Sequence, residues 1–405
     1  MDVIFIMPPL LVFSNFTSFS IQIQLKFLTE FKSSQRYFPL FFLCGLCALC
    51  EKFCIIFFMF NPEEIIFAVT TACNMHCPHC FVNRKPFNLK ASDAVNFLKS
   101  VHDSQDSSIE KVGFSGGEPF LRLDFLCEVI KAAIDMDFMF DRIMTNGDWW
   151  KTEEDLRDTL QKVYDAGYDG KIGVSYDNFH AQSEERIATF IQTVWELFGS
   201  DAVEIQSVKN EALGIRSEEL KGESLPPGVQ ATLSPTPPSP RERPKTPNVS
   251  QMLQSLANRL NLTYEENISP SGLGIASLSD EEHFLPAYIQ TESYQANDPR
   301  AWHDKQWFKD EHCAEMGQIL FVHATGDIAP CCGFANENKA LFIGKITDSF
   351  DQVLKTAGQS KMIKICYEEG LSKQIKVLEK QGKLPEGKTA DICTFCDLVC
   401  KNAGV

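Results

Sequence analysis

Three cysteines, Cys73, Cys77 and Cys80, stand as C-x3-C-x2-C in the segment TACNMHCPHC. Three thiolates on one short loop can hold three irons of a cubane cluster and leave the fourth iron open to a substrate or cofactor. The cubanes of ordinary ferredoxins take four cysteines. A zinc site that uses His76 or His79 as its fourth ligand is the alternative. Further on comes Gly116-Gly117-Glu118-Pro119. Its two glycines have no Cβ and let backbone approach a ligand closely; a plain strand-to-helix turn is the alternative. A second cysteine group closes the chain. Cys313 is followed by twelve residues, Gly326, four residues and Cys331, and then by Cys393-x2-Cys396-x3-Cys400. It offers enough thiolates for a second metal centre, with a zinc ribbon as the simpler option. Cys127 and Cys366 fall on predicted helices and read as packing residues. His180 is a lone loop histidine, for which a structural role is preferred to that of a substrate-side proton carrier.

Regular elements must bring these residues together. Strands are predicted over 64–70, 111–115, 141–145, 171–176 and 202–208 from short runs rich in apolar and β-branched residues. Helices are predicted between them: Ser92, as N-cap, to His102; Leu121 to Met136; one opened by Thr152 and Asp155 and ended near Gly167; and Ser183 to Phe198. Strands alternating with helices mean parallel βαβ units, and such units gather ligand-binding groups at the C-terminal ends of their strands. The first cysteines, the Gly-Gly-Glu segment, Thr145-Asn146-Gly147, and Ser175 with Asp177 all follow such ends. Residues 209–250 break the pattern, with seven prolines from Pro226 to Pro244; this composition suits a linker or insertion. Ser250 to Asn261 reads as an amphipathic helix and Ile268 to Ala276 as a sixth strand. Gln318 to His323 and Asp327 to Cys331 read as a hairpin turning at Thr325-Gly326.

Composition narrows the function. The 405 residues are 44% hydrophobic and 23% charged, enough for a sizeable core. With 38 basic and 54 acidic residues the net charge is −16, which argues against a nucleic-acid partner. Fifteen cysteines, an odd number, in a chain this long point to metal ligands in a reducing, cytoplasmic compartment rather than to a secreted disulfide scaffold. Residues 1–58 differ from the rest in their density of Phe, Leu, Ile and Cys. The run from Phe38 to Phe60 has the length of a membrane span, interrupted by Glu51 and Lys52. The favoured reading is upstream sequence not naturally translated, with Met59 opening an ordinary enzyme start. A genuine extension and a membrane anchor are the alternatives. Cys44, Cys47, Cys50 and Cys54 have ferredoxin-type spacing, but no proline follows Cys54 and the setting is apolar.

The pairing of Cys73, Cys77 and Cys80 after a first strand with Gly116-Gly117-Glu118-Pro119 after a second resembles the radical S-adenosylmethionine (SAM) superfamily. His79 replaces the aromatic residue usual before the third cysteine. The resemblance implies an α/β fold, a partial (βα)6 TIM-like barrel. It implies that Cys73, Cys77 and Cys80 ligate a 4Fe–4S cluster whose open iron binds SAM. It also implies reductive cleavage of SAM to a 5′-deoxyadenosyl radical that abstracts hydrogen from substrate, with an electron donor such as flavodoxin or ferredoxin. Gly116, Gly117, Glu118, Asn146, Ser175 and Asp177 are then candidate cofactor-binding residues, Ser175 before Asp177 for the ribose or carboxylate. Residues 301–405 resemble the C-terminal α+β auxiliary-cluster domain called SPASM or, in shorter form, Twitch. The tail is short of the full SPASM pattern, which favours one auxiliary 4Fe–4S cluster. Its candidate ligands are Cys313, Cys331, Cys393 and Cys396, with Cys400 and Cys332 as alternatives. The implied division is a core at 59–208, the linker or insertion, an end of core and connector at 251–300, and the auxiliary domain. Relatives with such a domain often modify peptides, so a peptide substrate is the leading expectation. Small-molecule dehydrogenation and a non-catalytic electron-transfer or redox-sensing protein are the rivals.

Overall fold

Five short segments, Glu64–Ala68 (β1), Lys111–Ser115 (β2), Met139–Thr145 (β3), Lys171–Ser175 (β4) and Val203–Lys209 (β5), lie side by side as parallel strands. The structure, a computed structural model, describes residues 60–82, 85–209, 247–268, 274–309, 312–313 and 317–402. The apolar N-terminal run, its cysteines and the proline-rich stretch lie outside the described residues. The helices between strands are Ala91–His102 (α1), Leu123–Asp135 (α2), Glu153–Asp165 (α3) and Glu184–Phe198 (α4). Each turns an apolar stripe to the sheet, as Phe125, Leu126, Val129, Ile130 and Ala133 do on α2. These side chains and the strand residues Ile65, Phe67, Val112, Phe114, Ile143, Ile172 and Val174 form the main core.

Two local expectations change. Ser92 does not cap α1; Lys90 occupies the cap position with no side-chain bond, and Ser92 lies inside the first turn. The helix predicted from Leu121 begins instead as a 3-10 turn, Pro119–Arg122, in which the Glu118 side chain accepts from Phe120 N. Thr152 caps α3 as expected, accepting from Asp155 N.

After the undescribed stretch, Val249–Leu260 (α5) opens with a reciprocal capping box between Asn248 and Gln251 and closes on Asn261 in the left-handed region. The expected sixth strand is displaced. Ile268 ends Thr263–Ile268 (β6) and Gly274 begins Gly274–Ser279 (β7), so the Gly- and Pro-containing segment between them connects an antiparallel pair. The strand that joins β5 in parallel is Phe284–Thr291 (β8). Pro286 argues from sequence against an interior strand. Its missing N–H does no harm because pairing with β5 begins only at Ala287.

Ile319–Val322 (β9) and Asp327–Ala329 (β10) form the expected hairpin, turning at Gly326 with φ +84°. β9 also pairs in parallel with β1, so the C-terminal region continues the core sheet. With Gly344–Lys345 (β11), the order is β11-β10-β9-β1-β2-β3-β4-β5-β8-β7-β6. The sheet is not closed into a barrel. Beyond it come Phe350–Gln359 (α6), a helical turn Lys361–Lys364, a π-helical turn Ile365–Glu369, Ser372–Lys380 (α7) and Ile392–Asn402 (α8). They enclose a second core around Trp302, Leu341, Leu371 and Phe395. Among the described residues no helix is long and apolar enough to cross a membrane.

Candidate functional site

The loop that leaves β1 is pinned at its root. Thr70 is fully buried; its hydroxyl donates to Asn88 Oδ1 at 2.7 Å and accepts from Ala72 N at 3.0 Å. The backbone after β2 holds the same loop, because Gly117 N donates to Thr70 O at 2.6 Å and Glu118 N to Ala72 O at 2.8 Å. A Cβ on Gly117 would stand 2.1 Å from Ala72 O, and one on Gly116, at φ +127°, 2.5 Å from Thr70 O. These glycines therefore serve first to let two loops pack backbone against backbone. Cys73 and Cys77 are half-buried and Cys80 is exposed. Burial pushes the Cys73 thiol up, against hydrogen bonds from Met75 N and the Asn146 amide.

Glu118 is buried beneath this loop. Its carboxyl accepts from Thr145 Oγ1 at 2.9 Å, Asn146 N at 2.8 Å and Phe120 N at 3.1 Å. Burial outweighs those three donors and pushes its pKa up to about 7. Its reach across to the end of β3 fixes Asn146, whose amide donates to Asn74 Oδ1 at 2.9 Å and to Cys73 Sγ at 3.6 Å. Asn74 in turn donates to Asp148 O. The Gln182 amide ties strand ends together by donating to Ser175 O, at 2.7 Å, and to Asn146 O. Neither Asn74 nor Gln182 stands out in the sequence; each works through backbone atoms that only the fold brings near.

The Asp177 carboxylate is held by four donors, three on Oδ1 and one on Oδ2. It is fully buried and accepts from Phe179 N, His180 N, His180 Nδ1 at 2.8 Å and Val208 N at 3.1 Å. This is the structural role preferred for His180, extended to its partner. Burial works against a charged His180, but its bonds to Asp177 and to the Cys77 thiol outweigh burial and push the pKa up to about 9. His79 packs against Phe179 and His180, and its Nδ1 is a buried polar atom without a hydrogen-bond partner among the described residues. Asp177 and His180 thus meet the cysteine loop from the end of β4, and Ser175 stands two residues before Asp177.

The second cysteine group also assembles. Cys393, Cys396 and Cys400 share one face of α8, at i, i+3 and i+7. Cys331, Cys396 and Cys400 are buried, Cys313 and Cys393 are half-buried, and Cys332 is exposed. Gly333 lies so close to α8 that a Cβ there would come within 2.9 Å of Cys393 Sγ. Cys366, read from sequence as a packing residue, is completely buried in the same group. Its thiol and that of Cys400 donate to Cys396, which holds the Cys396 thiol below its ordinary value. Burial pushes Cys331 and Cys393 up. Asp391 orients the start of α8 by accepting from Cys393 N at 2.7 Å. Cys127, by contrast, donates to Lys162 O on α3, away from both groups.

Residues 67–188 match the family model of the radical SAM superfamily. This segment is a radical SAM domain. It carries Cys73, Cys77, Cys80 and the Gly-Gly-Glu wall. A GTP 3′,8-cyclase of Aliarcobacter butzleri is 32% identical over 130 residues, 30% of this chain and 36% of that protein. The chain spans between 16% and 38% of the length of the first three curated relatives it matches. A Bacillus subtilis protein, "Putative peptide biosynthesis protein YydG", is 20% identical over 358 residues, 85% of this chain and 94% of its own. The structure of Streptococcus suis SuiB bound to precursor peptide SuiA aligns over 93% of this chain and 88% of that one, at 15% identity and a TM-score of 0.41.

The cofactors of a radical SAM domain are a 4Fe–4S cluster and SAM, and the residues present fit them. Three soft thiols share one short loop, the wall beside it is glycine backbone, and the His79 Nδ1 atom is orphaned at the same place.

Proposed function

We propose that this chain is a radical SAM enzyme acting in peptide or protein maturation. The observation that carries the reading is the convergence of Cys73, Cys77 and Cys80 with Gly116, Gly117 and the Glu118–Asn146 bond at the ends of three parallel strands. In this reading the three thiolates hold the 4Fe–4S cluster. Reduced, it supplies the electron that splits SAM into methionine and a 5′-deoxyadenosyl radical for hydrogen abstraction. The Gly116–Gly117 backbone bounds the SAM methionyl site. Glu118 positions Asn146 beneath the loop. Ser175 is the ribose or carboxylate contact, while Asp177 acts through His180 rather than on the cofactor. The peptide substrate rests on the near full-length likeness to the Bacillus subtilis peptide-biosynthesis relative.

The same reading places the core in residues 59–208, the linker or insertion in 209–250, the end of the core and connector in 251–300, and a SPASM/Twitch-like domain in 301–405. That domain holds one auxiliary 4Fe–4S cluster on ligands drawn from Cys313, Cys331, Cys393, Cys396 and Cys400. The enzyme works in the cytoplasm with a flavodoxin or ferredoxin as electron donor. The test is anaerobic reconstitution with iron and sulfide, reduction with dithionite, and liquid chromatography of the products of added SAM. The expected result is slow formation of 5′-deoxyadenosine even without substrate. If the reconstituted, reduced protein forms none, an electron carrier or redox sensor replaces the enzyme.

A further inference from the structure

The C-terminal thiol group contains a member that no C-x-C spacing reveals. Cys366 lies 34 residues beyond Cys332 and 27 before Cys393, the nearest cysteines on either side; only the fold brings it in. It is completely buried in the second core, at 0% exposure. Three features aim it at the other thiols. First, it sits in the π-helical turn Ile365–Glu369, which interrupts the helix begun at Lys361 and ends where Gly370 N donates to Ile365 O at 2.8 Å. A π turn rotates the residues it contains relative to an α-helix and is frequent at functional sites. Second, the turn is tied to the Cys313 loop by a 3.2 Å hydrogen bond between His312 Nδ1 and Cys366 O. Third, Cys366 is buried in one packed cluster with Cys331, Cys396 and Cys400, against which Cys313 also packs.

We propose that Cys366 is a thiolate ligand of the auxiliary iron–sulfur site. This inference rests on the auxiliary cluster of the proposed function. A sulfur buried in the same cluster as the other candidate ligands needs little movement to share an iron cube with them. A residue kept only for packing has no need of a thiol directed at another thiol, since an apolar side chain of the same size fills the space without burying a polar group. Cluster binding converts these buried thiols to thiolates and releases their protons, so that the network now made by S–H donors is replaced by iron–sulfur bonds.

The test compares Cys366→Ser and Cys366→Val, both close in size to cysteine, in a chain that also carries Cys73→Ala, Cys77→Ala and Cys80→Ala. Only the auxiliary cluster then contributes iron and an electron paramagnetic resonance signal. The parent should bind about four irons per chain. Cys366→Val should lose most of that iron or retain a three-iron signal. Cys366→Ser, which can ligate through oxygen, should shift the g-values and lower the midpoint potential. Circular dichroism and gel filtration confirm folding. Where one variant fails to fold, the other decides. If both fail, the same substitutions in the otherwise unaltered chain decide: 5′-deoxyadenosine formation reports the folded core, and iron near eight rather than four per chain overturns the inference. An unchanged signal and iron content in either folded variant overturns it as well. Absence of auxiliary iron in the parent itself would sink the underlying reading of the domain instead.

Discussion

Gly117→Ala should disable the cysteine loop more than its single methyl suggests. The new Cβ would stand 2.1 Å from Ala72 O, 2.7 Å from Ala72 C and 2.8 Å from Thr71 C, all backbone atoms. Ordinary van der Waals contact begins near 3.4 Å, so the loop must retreat by about 1.3 Å. No flexible side chain can absorb that, and Ala72 adjoins Cys73. The retreat also lengthens the 2.8 Å bond from Glu118 N to Ala72 O, worth about 1 kcal/mol net. Adding roughly 1–3 kcal/mol for overpacking gives a total loss of about 2–4 kcal/mol. A misplacement of this size at the reacting centre can cost about 100-fold in rate. Gly358→Ala is the control. It lies on α6 with nothing within 4 Å of the added Cβ, so it should stabilise by up to about 1 kcal/mol through helix propensity. Thermal unfolding, iron content and 5′-deoxyadenosine formation under dithionite separate the two variants. A Gly117→Ala protein with the iron and the product yield of the unaltered chain would refute the argument that the Gly-Gly backbone sets the position of Cys73.

Cys77→Ala should form no 5′-deoxyadenosine, whereas Cys313→Ala should keep some while losing turnover of the true substrate, because the two cysteines belong to separate thiol groups; chromatography of both products reads the split. Full reconstitution should give about eight irons per chain, with about four or about twelve pointing to no auxiliary cluster or to two. Glu118 carries a pH signature: its folded pKa of about 7 lies above the ordinary 4.5. Its contribution to stability is therefore present below pH 4.5 and lost as the pH rises through about 7, by up to about 3 kcal/mol. Urea unfolding of the iron-free protein at pH 5 and pH 8 should show that slope, and Glu118→Gln should flatten it.

How much of this was legible in the sequence depends on how local each signal is. Strands β1 to β5 were readable because each is a short segment, five to seven residues long, with buried apolar or β-branched residues such as Ile65, Phe67, Val112, Ile143, Ile172 and Ile205. The Cys73–Cys80 loop and the hairpin at Gly326 were readable for the same reason, since their chemistry lies within one stretch of chain. The sixth parallel strand was misplaced because Phe284–Thr291 carries Pro286, tolerable only where β5 has not yet begun to pair. That fact concerns two segments about eighty residues apart. Asp177 was read from sequence as a candidate cofactor contact weaker than Ser175, but the bonds that hold it were not legible, because one of them comes from Val208 N near the end of β5. Cys366 is the extreme case. Its spacing to every other cysteine is uninformative, and its meaning comes from a π turn, a histidine beside Cys313 and a thiol on the last helix. Metal ligands that arrive singly from distant elements leave no motif behind them. Of the cysteines that surround the second site, the one without a motif is therefore the one whose substitution says most about how the site is built.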